Sequence, residues 1–131
     1  MPLAVQPLRV VVVEDSEAFL MRLRLALSES PRFEVVGMAE SAGSAIRLLD
    51  QTKPDLVLLD LYLKEGSGMD VLRHIRETGL KVRTLVMTSE QSGELHTACL
   101  SLGAHRLFDK AGLINALSEE AEALAQELSG Q

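Results

Sequence analysis

Residues 8–15 read LRVVVVED and residues 55–60 read DLVLLD. Both are short, nearly unbroken apolar runs, and both end in carboxylates. A strand covered on both faces reads this way, whereas a strand with one wet face alternates apolar and polar residues. Outward from each run the period changes. After residues 8–13, Ser16 can cap a helix on which Phe19, Leu20, Leu23 and Leu27 recur at helical spacing. Residues 28–31 (SESP) break that pattern. Residues 33–39 read as a second strand, and Ser41 can cap a helix with Ala42, Ala45, Ile46 and Leu49 turned inward. Residues 55–60 form the third strand. Gly66 and Gly68 open a loop, read as turn and helix-start positions. A helix carrying Met69, Leu72 and Ile75 follows, and Gly79 stops it. Residues 84–88 are a fourth strand. Residues 91–102 are a helix with Leu95, Ala98, Cys99 and Leu102 on one side, stopped by Gly103. Residues 106–109 are a short fifth strand. One last helix carries Ile114, Leu117, Ala121, Leu124 and Leu128.

Five repeats of strand then helix predict an α/β fold with a parallel sheet and helices on both faces. The expected architecture is a flavodoxin-like (βα)5 doubly wound sheet in the order 2-1-3-4-5. The 131 residues suit one domain, expected over 1–131 with its core within 8–128 and no output domain. Hydrophobic residues make up 47% and charged residues 24%, a globular balance. A net charge of −6 argues against a phosphate-backbone binder, so no direct nucleic-acid contact is expected. The single cysteine, Cys99, allows no internal disulfide, reads as a core residue and fits a reducing compartment. The first ten residues lack the apolar stretch of a signal peptide. No run is long enough to span a bilayer. The expectation is a soluble, cytoplasmic protein without membrane contact.

In an open sheet of this kind, sites form beyond the carboxyl ends of the strands. Those ends carry Glu14, Asp15, Asp60, Thr88-Ser89 and Lys110. Carboxylates crowded at one sheet end repel one another, and a hard divalent cation relieves that repulsion. Mg²⁺ suits an all-oxygen site that keeps water and a phosphate in its octahedron. A carboxylate, Asp60, can then attack phosphorus and form an acyl phosphate. Thr88 can donate to a phosphoryl oxygen and Lys110 can offer a point charge to another. His74, His96 and His105 show no ligand spacing. Arg22, Arg24, Arg73 and Arg76 read as solvated helix faces.

The segments VVVED (11–15), LVLLDLYL (56–63), SGMDVL (67–72), VMTS (86–89) and GAHRLFDK (103–110) occur in order at domain-scale spacing. With them the chain resembles the receiver domain of two-component response regulators from about residue 8 to residue 128. The resemblance implies Asp60 as phosphoacceptor, Asp15 as a direct Mg²⁺ ligand and Glu14 as a ligand acting directly or through water. It implies the backbone carbonyl of Tyr62 as a further ligand, Thr88 as the switch hydroxyl and Lys110 as the phosphoryl clamp. The implied donor is the phosphohistidine of a sensor histidine kinase or of a histidine phosphotransfer protein, and a homodimer is among the assemblies the resemblance admits.

Three positions depart from the family pattern, the first acidic position being Glu14, a longer variant of the usual Asp. Ala111 follows Lys110 where the family often has a cis proline, and a non-proline cis bond costs about 2.5–4 kcal/mol. Leu107 stands where the family often has Tyr or Phe, and Phe108 should face the other side of the strand. The response to phosphorylation is therefore expected to concentrate in residues 88–94 and the start of the fourth helix. Two other classes compete. An aspartyl-nucleophile phosphohydrolase needs an acid/base carboxylate two residues after the nucleophile, where this chain has Tyr62. A pseudo-receiver interaction module would not need Glu14, Asp15, Asp60, Thr88 and Lys110 together.

Overall fold

In the computed structural model residues 6–89 and 92–129 are described. Five strands, β1 (Leu8–Val13), β2 (Phe33–Ala39), β3 (Leu56–Asp60), β4 (Arg83–Met87) and β5 (Arg106–Phe108), form one sheet in the order β2-β1-β3-β4-β5. All four pairings are parallel. This is the doubly wound order expected above, and it places β1 beside β3.

The unbroken apolar runs are explained by which face each residue serves. Val10, Val12, Leu56, Leu58, Leu85 and Met87 join one core cluster, on the side of α1 (Glu17–Ser28). Val11, Val13, Val57, Leu59 and Val86 join the other, under α2 (Ala42–Thr52), α3 (Gly68–Thr78) and α4 (Gly93–Ser101). Successive side chains point to opposite faces of a strand, so a sheet covered on both faces needs apolar residues at every position. The fifth strand obeys the same alternation: Leu107 packs with the second cluster and Phe108 with the first.

The first four helix starts have a local cause. Ser16 accepts from the Phe19 N–H, and Ser41 with Ser44 forms a capping box. Ser67 with Asp70 does the same for α3, and Ser92 accepts from the Leu95 N–H. The expected start of the fourth helix at Gln91 lies outside the described residues.

The single last helix read from the sequence is two helices, α5 (Lys110–Glu119) and α6 (Ala121–Ser129). Glu120 lies between them with φ −127 and ψ 28. Leu113, Ala116 and Leu117 of α5 and Leu124, Ala125 and Leu128 of α6 enter the same core cluster. Leu117 and Leu124 are two turns apart, so the apolar period runs straight through the break and conceals it. The signal that does exist is electrostatic. Glu119, Glu120 and Glu122 are unfavourable at a helix C-terminus but favourable at the N-terminus of the next helix. Strand ends also shift slightly: Thr88 lies just past β4, and Asp109 is the N-cap of α5, accepting from the Gly112 N–H at 2.6 Å. Lys110 is therefore the first residue of a helix.

Candidate functional site

At the carboxyl edge of the sheet, β1 delivers Glu14 and Asp15, β3 delivers Asp60, and β4 delivers Thr88. The pairing of Val13 with Leu59 sets the first two strand ends side by side. One carboxylate oxygen from each of Glu14, Asp15 and Asp60 lies within 4.8 Å of the others, which makes a group able to hold a metal ion. Glu14 is fully buried and Asp60 is 3% exposed, whereas Asp15 is half-buried.

Lys110 reaches in from the first turn of α5. Its Nζ lies 3.0 Å from Glu14 Oε1 and 3.1 Å from Asp60 Oδ2. The contact with Glu14 Oε1 is an ion pair without directed hydrogen-bond geometry, and that buried oxygen has no other partner among the described residues. Backbone N–H groups hold one further oxygen of each carboxylate. Ser16 donates to Glu14 Oε2 at 2.9 Å, Tyr62 to Asp60 Oδ1 at 3.1 Å and Lys64 to Asp15 Oδ2 at 2.6 Å. Thr88 is buried, and its N–H donates to the Phe108 carbonyl at 3.1 Å, tying it to β5. The Tyr62 side chain is 53% exposed.

The electrostatics follow from the geometry. Burial pushes the Glu14 carboxyl above its ordinary value, and the charge of Asp60 adds to that; the Ser16 N–H and Lys110 oppose it without cancelling it. For Lys110, burial alone would lower the ammonium. The facing carboxylates of Glu14 and Asp60 outweigh burial and hold it above the usual lysine value. One ammonium thus faces three clustered carboxyl groups, an excess of negative charge in a largely buried place. The donor set is oxygen only, and Glu14 Oε1 keeps unused acceptor capacity. Both features fit a hard divalent cation such as Mg²⁺.

The five side chains singled out in the sequence are thereby brought to one edge. Glu90, two residues after Thr88, lies outside the described residues. His74 pairs with Asp50 at 3.0 Å, and His105 with Glu127 at 2.9 Å, both away from this edge. Two residues contribute to the site beyond their place in a helix. Gly68 is a helix start, but an added Cβ there would lie 2.5 Å from the Asp60 carbonyl oxygen. Phe19 was read only as core, yet its ring faces Lys110 Nζ at 4.8 Å. The SGMD segment hinted at the first; nothing in the sequence hinted at the second.

A doubly wound sheet with three carboxylates, a hydroxyl and a lysine at its carboxyl edge is an arrangement able to hold a cation and to meet a phosphoryl group. The chain belongs to the response regulator receiver domain family, whose model matches residues 10–122. It is 36% identical over 107 residues to a protein-glutamate methylesterase/protein-glutamine glutaminase of Myxococcus xanthus, covering 81% of this chain and 31% of that protein. It is 29% identical over 96 residues to the transcriptional regulatory protein YdfI of Bacillus subtilis, covering 73% and 45%. Among solved structures, the signal receiver domain of a NarL response regulator from Mycobacterium tuberculosis superimposes with a TM-score of 0.85 at 26% identity, covering 97% of this chain and all of that one. The chain spans less than half the length of these curated relatives. Among the described residues no helix is long and apolar enough to cross a membrane.

Proposed function

We propose that Asp60 is the phosphoacceptor of a two-component phosphorelay and that this chain switches protein–protein contacts according to its phosphorylation. The observation that carries the reading is Lys110 Nζ lying within 3.1 Å of both Glu14 and Asp60, with Asp15 completing the carboxylate cluster. In the proposed reaction a carboxylate oxygen of Asp60 attacks the phosphorus of a phosphohistidine. The O–P bond forms as the N–P bond breaks, and the departing imidazole takes a proton from solvent. Lys110 follows the charge that builds on the phosphoryl oxygens, and the Thr88 hydroxyl donates to another of them. Glu14, Asp15, Asp60 and the backbone carbonyl of Tyr62 would hold Mg²⁺. When bound, the cation neutralises the transferring group so that a carboxylate can approach it.

The donor is a sensor histidine kinase or a histidine phosphotransfer protein, and the output partner is a protein. The chain turns over nothing but its own phosphoryl group. The test is incubation with Mg²⁺ and acetyl phosphate, followed by intact mass. The expected result is one phosphoryl group on the wild type only when a divalent cation is present, and none on Asp60→Asn. Equal labelling of Asp60→Asn would refute the assignment.

A further inference from the structure

Lys110 has to keep its ammonium over Asp60 while the charge beneath it changes. Its base is fixed by the first turn of α5, but its four-carbon stem is flexible and carries much rotamer freedom. Two of its contacts are the carboxylates of Glu14 and Asp60. Both are altered in the reaction: Asp60 becomes an acyl phosphate, and Glu14 shares its charge with a cation. The third contact is of another kind. Phe19, in the first turns of α1 and 7% exposed, lies with its ring below Lys110 Nζ, 4.8 Å from centroid to nitrogen. That is well inside the range of about 6 Å in which an aromatic face attracts a cation. The attraction exchanges no proton and selects no oxygen, so it persists while Nζ moves between a carboxylate and a phosphoryl oxygen. The ring itself cannot drift, because it belongs to the core cluster between α1 and the sheet. A second cation, the Arg22 guanidinium, approaches the same ring at 5.8 Å, near the limit of the range.

We propose that Phe19 is a positioning residue for phosphoryl transfer: its ring holds the Lys110 ammonium over the Asp60 carboxylate. This rests on the reading of Asp60 as phosphoacceptor and Lys110 as its clamp. Phe19 touches neither donor nor cation and acts only through Lys110. Leucine at this position keeps the apolar packing and removes the ring face; tryptophan keeps the face and strengthens it.

The experiment uses the full chain, Mg²⁺ and acetyl phosphate, with two readouts. The first is the NMR position of the Lys110 Cε protons in the unphosphorylated wild type, which a ring beneath them shifts upfield. The second is the labelling rate of wild type, Phe19→Leu, Phe19→Trp, Lys110→Ala and the double variant Phe19→Leu/Lys110→Ala. Phe19→Leu is expected to lose the upfield shift and to label about three- to tenfold more slowly. Phe19→Trp is expected to keep both. In the Lys110→Ala background, Phe19→Leu is expected to cause no further slowing, a result a merely structural residue would not give. An equal loss in both backgrounds overturns the proposal, as does a wild-type Lys110 signal at its ordinary position. The latter decides the matter even if Phe19→Leu does not fold. A wild type that takes no phosphoryl group at all would instead refute the proposed function, and the upfield shift alone would then decide the contact.

Discussion

Gly68→Ala adds one methyl group at the first position of α3, and the sheet end leaves it no room. An ideal Cβ there would lie 2.5 Å from the Asp60 carbonyl oxygen, 2.8 Å from Leu61 Cα and 3.1 Å from the Asp60 carbonyl carbon. All three are backbone atoms, so no side chain can rotate aside. Ordinary contact begins near 3.4 Å, and the start of α3 must therefore move from the end of β3 by roughly 0.9 Å. The Gly68 N–H bond to the Leu61 carbonyl, 3.0 Å long, resists that movement. Overpacking of this kind costs about 1–3 kcal/mol. Alanine recovers at most about 1 kcal/mol of helix propensity. After that recovery the expected net loss is up to about 2 kcal/mol, read as a lower urea midpoint at unchanged slope. Because the displaced backbone carries the phosphoacceptor, labelling by acetyl phosphate should also fall, by about ten- to a hundredfold for a shift near 1 Å. Gly93→Ala is the matched control. It is the first residue of α4, and among the described residues nothing lies within 4 Å of its added Cβ. It should hold or slightly raise stability and label like the wild type. A Gly68→Ala protein as stable and as fast as Gly93→Ala would refute the reasoning.

Four further outcomes follow from the same site. Asp15→Ala should weaken Mg²⁺ binding in calorimetric titration much more than Glu14→Ala, since Glu14 is already paired with Lys110; equal titrations would reject that division of roles. Mg²⁺ binding should also depend on pH with a definite sign. Glu14 holds its proton to higher pH than an ordinary carboxyl, and the cation must displace it. Apparent affinity should fall as pH drops toward the raised Glu14 value, by no more than Glu14→Ala itself loses, and level off above it. The resemblance sets residue 62 beside the path of the hydrolytic water, so a bulky phenol there is expected to outweigh any help from Glu90: Tyr62→Ala should shorten the acyl-phosphate half-life, followed by loss of the added mass, and an unchanged or longer half-life would reject this. Hydrogen exchange with and without a phosphoryl mimic should change most in residues 88–94 and early α4, whereas large changes at Leu107 and Phe108 with a quiet 88–94 segment would overturn that route of transmission.

How much of this was legible in one dimension depends on the range of the interaction involved. The alternation of strand and helix was legible because burial on both sheet faces demands an apolar residue at every strand position, and Val10 to Val13 supply it. The caps Ser16 and Ser41 were legible because a cap and its N–H partner lie three residues apart, whereas Ser67 and Ser92 were not read as caps. The site was legible as a group of strand ends, because in a parallel sheet every strand delivers its last residue to the same edge. Other features were set by contacts between residues far apart in the chain. The break at Glu120 leaves the apolar period intact, so periodicity could not report it. The approach of Gly68 to the Asp60 carbonyl depends on how tightly α3 docks against the end of β3. The placing of Phe19 beneath Lys110 needs α1 and α5 side by side on one face of the sheet, 91 positions apart in sequence. Local propensity and spacing fix which residues reach the edge. The angle at which helices pack on the sheet decides which of them touch, because it is set by the fit of side chains from separate segments and by no segment alone.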